Sequence, residues 1–205
     1  MSTSSPPRTT RKEAKERTRQ KLFEAIVRLL HGEGPSALTT ARIAEQAGIA
    51  QPTFYVYFPD LEAALDQSAE QLGETLLGRM RDTAPSAEES DPREAMRTSF
   101  RAFLDAVLAD RRLAEIFLRH RRDGSTPFGK RFKKVLAQSR DRIEEQLTAR
   151  GVADAALHAS VIVGMTIGAV EGLLDRRIAD RDAAVEALVR YTTAALAPLV
   201  IANRR

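Results

Sequence analysis

The segment GIAQPTFYVYF, Gly48 to Phe58, packs Phe54, Tyr55, Tyr57 and Phe58 into five positions of a chain that has only eight Phe and three Tyr. Aromatic and β-branched residues suit a strand. Pro52 argues against one, because a central strand needs the backbone donor that proline lacks. The same proline does no harm in the first turn of a helix. Just before it, ARIAEQA reads as a short helix that Gly48 ends, as a residue able to adopt positive φ. Two short helices joined by a glycine turn make a helix-turn-helix. Ile43, Ala47, Ile49, Phe54 and Tyr57 then point inward, with Ala44 and Gly48 small where the helices cross.

Helical periodicity extends in both directions. From Glu13 to Leu30, Leu22, Phe23, Ile26, Val27 and Leu30 form one stripe, and HGEGPSALTT breaks it. Thr39 or Thr40 caps the next helix. Beyond Phe58 a long helix is predicted from Asp60 to Asp82, with Leu61, Leu65, Leu72, Leu76 and Met80 on one face. Further helices are predicted at 92–109, 110–121, 127–149, 153–176 and 180–201. No alternating run is long enough for a sheet, so the expected class is all-α, with a three-helix head and a helical body.

Charge separates the two parts. Residues 1–58 hold nine Lys/Arg and five Asp/Glu, whereas residues 59–205 hold twenty-three of each, so the net +4 resides in the head. A basic head on a neutral body suits a polyanionic partner, the plainer alternative being a solvated tail. The chain has no Cys, which excludes disulfides, thiolate nucleophiles and cysteine-based zinc sites. The polar, basic start of the sequence does not read as a signal peptide, and a cytoplasmic location is expected. His31, His120 and His158 are far apart, adjacent Glu pairs diverge on a helix, and no phosphate loop or G-x-S-x-G is present, so neither an enzyme nor a metal or cofactor site is expected.

LTTARIAEQAGIAQPTFYVYF resembles the tetracycline-repressor (TetR) family of bacterial transcription regulators, in its Thr pair, its I-A-x-x-A-G-I turn and its T-F-Y-x-Y-F block. The resembling stretch runs from Arg19 to Leu65. The resemblance implies a homodimer that binds double-stranded operator DNA and releases it when a small molecule fills the body. It divides the chain into a basic flexible arm at 1–18, a helix-turn-helix DNA-binding domain at 19–58, and a helical ligand-binding and dimerisation domain at 59–205. It also places Gln51, Pro52, Thr53, Tyr55 and Tyr57 on or near the DNA-facing helix, flanked by Ala50, Thr39, Thr40 and Arg42. The chemistry agrees. Gln pairs with an adenine edge, Thr and Pro touch a thymine methyl, and Tyr55, Tyr57 and Thr40 hydroxyls hold phosphates. One departure is that Asp60 and Leu61 stand where the family usually has Ser-Lys, which removes an expected phosphate contact.

In the body, Gly164, Gly168 and Gly172 fall on one side of a largely apolar helix, and the last helix also has a broad apolar face. A membrane span is rejected because His158 and Glu171 interrupt the segment. The family's dimer interface is expected there, with Val189 and Leu196 contributed by the last helix. Phe100, Phe103, Leu104, Phe117, Phe128, Phe132 and Leu136 are candidates for an apolar pocket, with ordinary core as the alternative. The cationic run from Arg119 to Lys134 reads as a solvated face. Its sharper alternative is a dock, including Arg119, for an anionic head group. The same run faintly resembles the fatty-acid or acyl-CoA-sensing subgroup, which implies an acyl-type effector. A second function class, a helical protein-interaction or non-specific nucleoid-type DNA-binding protein, stays open.

Overall fold

The computed structural model describes residues 10–82 and 91–202, and all regular structure among them is helical. The chain divides into two compact units, one through Ser68 and one from Ala69.

In the first unit, α1 (Arg11–Gly32) opens with a capping box in which the Thr10 side chain accepts from the Glu13 N–H and Glu13 accepts from the Thr10 N–H. The helix thus takes up Arg11 to Thr18, which the sequence assigns to a flexible arm, because this box and not the first apolar residue sets its start. Arg8 and the rest of the arm through Thr9 lie outside the described residues. Leu22, Ala25, Ile26, Leu29 and Leu30 form the buried face, while Phe23 and Val27 are half-buried at its edge. A single 3-10 turn at Pro35–Ala37 leads to α2 (Thr40–Ala47). Gly48 ends α2 at φ 69°, with the Ile49 N–H donating back to the Ala44 carbonyl. A Cβ on Gly48 would meet nothing within 4 Å, so conformation and not space calls for glycine here. Then come α3 (Gln51–Phe54), with its proline in the first turn, and the start of α4 (Leu61–Asp82). Phe54 and Phe58 are the buried rings, 5.6 Å apart, and the Arg19 guanidinium lies 5.7 Å from the centre of the Phe58 ring.

The second unit contains the rest of α4, α5 (Pro92–Leu108), α6 (Arg111–His120), α7 (Pro127–Ala149), α8 (Ala155–Leu174) and α9 (Arg181–Ala202). Asp91, Asp110 and Thr126 cap three of these helices with their side chains. Within this unit α7 packs along α8 and α5 along α9. Arg131 on α7, 8% exposed, is held by Glu70 at 3.0 Å and by Glu74, both on α4. Its stem fills the space above Gly73, where a Cβ would fall 2.2 Å from Nε. Arg121 pairs with Glu171 of α8. Two arginines of the basic run are therefore structural, whereas Lys130, Lys133 and Lys134 are exposed.

Candidate functional site

The turn-and-helix segment of the head sorts its side chains by period. Phe54 and Phe58, four apart, face inward, so Tyr55 and Val56 must face out. Tyr55 is 51% and Val56 69% exposed. Tyr57 and Thr53 are half-buried, and Ala50, Gln51 and Pro52 are exposed. The Gln51 Nε2 donates to Thr40 Oγ1 at 3.0 Å, and Thr40 Oγ1 lies 3.4 Å from the Tyr55 hydroxyl. Three residues singled out from sequence thus form one exposed polar cluster, joining the start of α2 to α3. The inward positions follow the expectation at Ile43, Ala47 and Phe54, while Ile49 and Tyr57 are only half-buried.

Thr39 is the cap of α2, its Oγ1 accepting from the Arg42 N–H at 3.3 Å. The Arg42 guanidinium donates to Glu33 at 2.8 Å, and that hydrogen bond, with the Glu33 charge, holds it above its ordinary pKa. An exposed pair of this kind is worth little. Asp60 caps α4, Oδ1 accepting from the Ala63 N–H at 2.7 Å, and Leu61 is half-buried. Val56 was not singled out from sequence. The inward pair of rings four apart is the signal that finds it.

The second unit contains a partly open cavity of about 1300 Å³. Phe100, Phe103, Phe117 and Leu136 line it, together with Met96, Ile143 and others that sequence did not mark. Leu104, Phe128, Phe132 and Arg119 do not. Leu104 is fully buried in a core cluster with α8 and α9. Phe128 and Phe132 are buried in the core, Phe132 edge-on to Phe117 at 5.2 Å. Arg119 is exposed and borders a separate small recess with Arg121 and Glu171.

The predicted dimer residues also part company. A Cβ on Gly164 or Gly168 would meet nothing within 4 Å, and both are exposed on α8 in line with Leu157 and Val161. Gly172 instead faces inward, where a Cβ would come 2.6 Å from Ile178 Cδ1. Val189 is 0% exposed in its own core and so cannot meet a partner without repacking. Leu196 is half-buried and lines the cavity. By length and composition α8 alone among the described helices could cross a membrane, yet its Ala155, Ala159, Ile162, Ala169 and Val170 are buried within this unit. His120 is buried and its Nε2 has no partner among the described residues. Burial first, and the Arg119 charge second, push its pKa down.

Residues 22–66 match the family model for bacterial regulatory proteins of the tetR family. The nucleoid occlusion factor SlmA of Haemophilus influenzae is 28% identical over 115 residues, 56% of this chain but only 51% of that protein. A solved structure of the fatty acid degradation regulator FadR from Bacillus halodurans superposes with a TM-score of 0.67 at 18% identity, covering 93% of this chain and 96% of that one. The SmeT–triclosan complex superposes with a TM-score of 0.68 at 19% identity, covering 87% and 91%. The tetracycline repressor of class A from transposon 1721 of Escherichia coli is 30% identical over 162 residues, 79% of this chain and 68% of that repressor. On that extent of identity, and with the helix-turn-helix matched by the family model, the chain belongs to the TetR family of bacterial regulatory proteins.

Proposed function

We propose that the protein is a ligand-responsive transcriptional repressor. It acts as a cytoplasmic homodimer on near-palindromic operator DNA and is released by a small apolar effector of acyl type, such as a fatty acid or acyl-CoA. The observation that carries this reading is the exposed Gln51–Thr40–Tyr55 cluster on a helical turn anchored from behind by two buried rings. Gln51 supplies the bidentate amide for an adenine edge. Pro52, Thr53 and Val56 offer apolar contact to thymine methyls, and Thr39, Thr40, Tyr55, Tyr57 and Arg42 take phosphates. The cavity supports the release step, as do the names of two structures that share the fold, one a fatty acid degradation regulator and one bound to triclosan.

The test is a gel shift with DNA from upstream of the protein's own gene, in the presence of excess random DNA at physiological salt. A shift of the upstream fragment alone supports the reading. Equal shifts of both fragments favour the second reading, a nucleoid-type DNA-binding protein, for which the SlmA likeness speaks. Gln51→Ala is expected to weaken operator binding by about 1–3 kcal/mol, roughly 5- to 150-fold. An affinity equal to wild type would remove Gln51 from the readout.

The dimer rests on the exposed stripe of Leu157, Val161, Gly164 and Gly168 on α8 and on the exposed Tyr191 of α9. An isologous pairing of α8 and α9 with a second copy buries that stripe. Val161→Arg places a charge in the proposed seam. Light scattering is expected to give a dimer for wild type and a monomer for the variant. A wild-type monomer, stable on dilution, contradicts the pairing.

A further inference from the structure

The charges around the cavity are unequal in their surroundings. Six charged residues line it: Glu74, Asp91, Arg93, Arg142, Glu145 and Arg150. Five of them are exposed, and Arg142 alone is half-buried. Three of the exposed five already have partners: Glu74 pairs with Arg131, Asp91 caps α5, and Arg150 donates to the Gln146 carbonyl. Arg142 has neither an ion pair nor a hydrogen bond among the described residues.

A guanidinium drawn partly out of water with no counter-charge is costly, and an anion brought to it recovers that cost. The hydroxyls nearby repeat the pattern. Ser99, Ser139 and Thr166 each donate to a carbonyl of their own helix. Thr192 and Thr193 on α9 also line the cavity, and their buried Oγ1 atoms have no partner among the described residues. Leu196, one turn along α9 from that pair, and Ile143, the neighbour of Arg142, both pack against the apolar cluster of Leu147, Val152, Ala155 and Ile162, as does Phe100. Half-buried Arg142 and the buried Thr192 and Thr193 hydroxyls thus line one cavity without partners among the described residues. Phe100, Phe103, Phe117 and Met96 supply its apolar wall.

Building on the effector reading above, we propose that the cavity takes a carboxylate-bearing amphiphile. The carboxylate sits on Arg142, with Thr192 and Thr193 as supporting donors, and the apolar chain lies against the phenylalanines. The anion site is thus on α7 at Arg142 and not on the basic run from Arg119 to Lys134, whose arginines at 121 and 131 are held by Glu171, Glu70 and Glu74.

The experiment is isothermal titration calorimetry of the full chain with three probes of equal chain length: decanoate, 1-decanol and decyltrimethylammonium. Decanoate is expected to bind roughly 10- to 100-fold more tightly than decanol, the strength of a charge-assisted hydrogen bond, with the ammonium weakest. Arg142→Gln is expected to bring decanoate down to the level of decanol while leaving decanol unchanged. Arg142→Lys should keep the preference in part, and Arg150→Gln should keep it in full. Equal binding of decanoate and decanol, a preference for the cation, or a preference that survives Arg142→Gln overturns the proposal and leaves an uncharged effector in the cavity. No binding of any probe overturns both this proposal and the reading of the cavity as an effector site for such chains.

Discussion

Gly129→Ala is expected to destabilise the unit that begins at Ala69 by about 3 kcal/mol or more, the upper range for overpacking a filled site. Helix propensity alone predicts the opposite sign, since alanine is better than glycine inside a helix by about 1 kcal/mol. Contact decides the matter. A Cβ on Gly129 would fall 1.5 Å from the Asp123 carbonyl oxygen and 2.9 Å from that of His120. Both are backbone atoms, one at the end of α6 and one in the connection that enters α7. They are fixed by the Asp123 N–H bond to the His120 carbonyl and by the Thr126 cap on the Gly129 N–H. They cannot swing aside as a long side chain can. Gly124 makes the contrast, because its nearest neighbour is the Lys133 Nζ at 2.5 Å, the free end of a flexible chain. In thermal unfolding followed by circular dichroism, the loss should lower Tm by roughly 6–12 °C for a chain of this size. Gly32→Ala, with nothing within 4 Å of its Cβ, is the control and should be neutral or slightly stabilising. Wild-type melting of Gly129→Ala would mean that the α6–α7 connection yields freely.

The head was legible because its punctuation is local. Gly48 and Pro52 fix a turn and a helix start within five residues, and the structure places both as expected. The body was legible as helices but not as faces. A spacing of four puts Gly164, Gly168 and Gly172 on one side. Which of them is covered depends on where the chain goes after α8. It turns back through Arg176 at φ 59°, and the Ile178 N–H donates to the Gly172 carbonyl at 2.9 Å. Ile178 thereby covers Gly172 and leaves Gly164 and Gly168 open. Nothing in the glycine spacing encodes that return.

The same limit applies to the phenylalanines and arginines. Phe117 has apolar neighbours in sequence and Phe132 cationic ones, yet Phe117 lines the cavity and Phe132 is fully buried. Arg131 sits in a run of cations that reads as a solvated face. Its partners, Glu70 and Glu74, are some sixty positions earlier, and the glycine that admits it lies between them. Such long-range triplets carry no periodic signal. Arg142 is the converse case. It is invisible in the sequence because its distinction is the lack of a partner among the described residues.

Phe54→Ala is expected to cost the first unit about 3–5 kcal/mol, the usual loss on emptying a buried aromatic site. Phe54 is 0% exposed and makes ring contacts at 5.5 Å with Tyr55 and 5.6 Å with Phe58. Helix α3 has four residues and no side-chain cap, so its own hydrogen bonds cannot hold it. A unit this small has little stability to lose. Removal of the ring should therefore release Gln51 and Tyr55 from their bonds to Thr40 and abolish operator binding. The cavity lies wholly in the other unit and is expected to bind its probe unchanged. Tyr55→Phe separates fold from contact, because it keeps the ring pair and removes only the hydroxyl. It should leave unfolding unaltered and weaken the operator complex by about 0.5–1.5 kcal/mol, the net value of one hydrogen bond. Gel shift and calorimetry on the two variants together decide the point. If Phe54→Ala still binds the operator at wild-type strength, the buried rings do not position the reading surface, and the DNA contacts must come from elsewhere in the head.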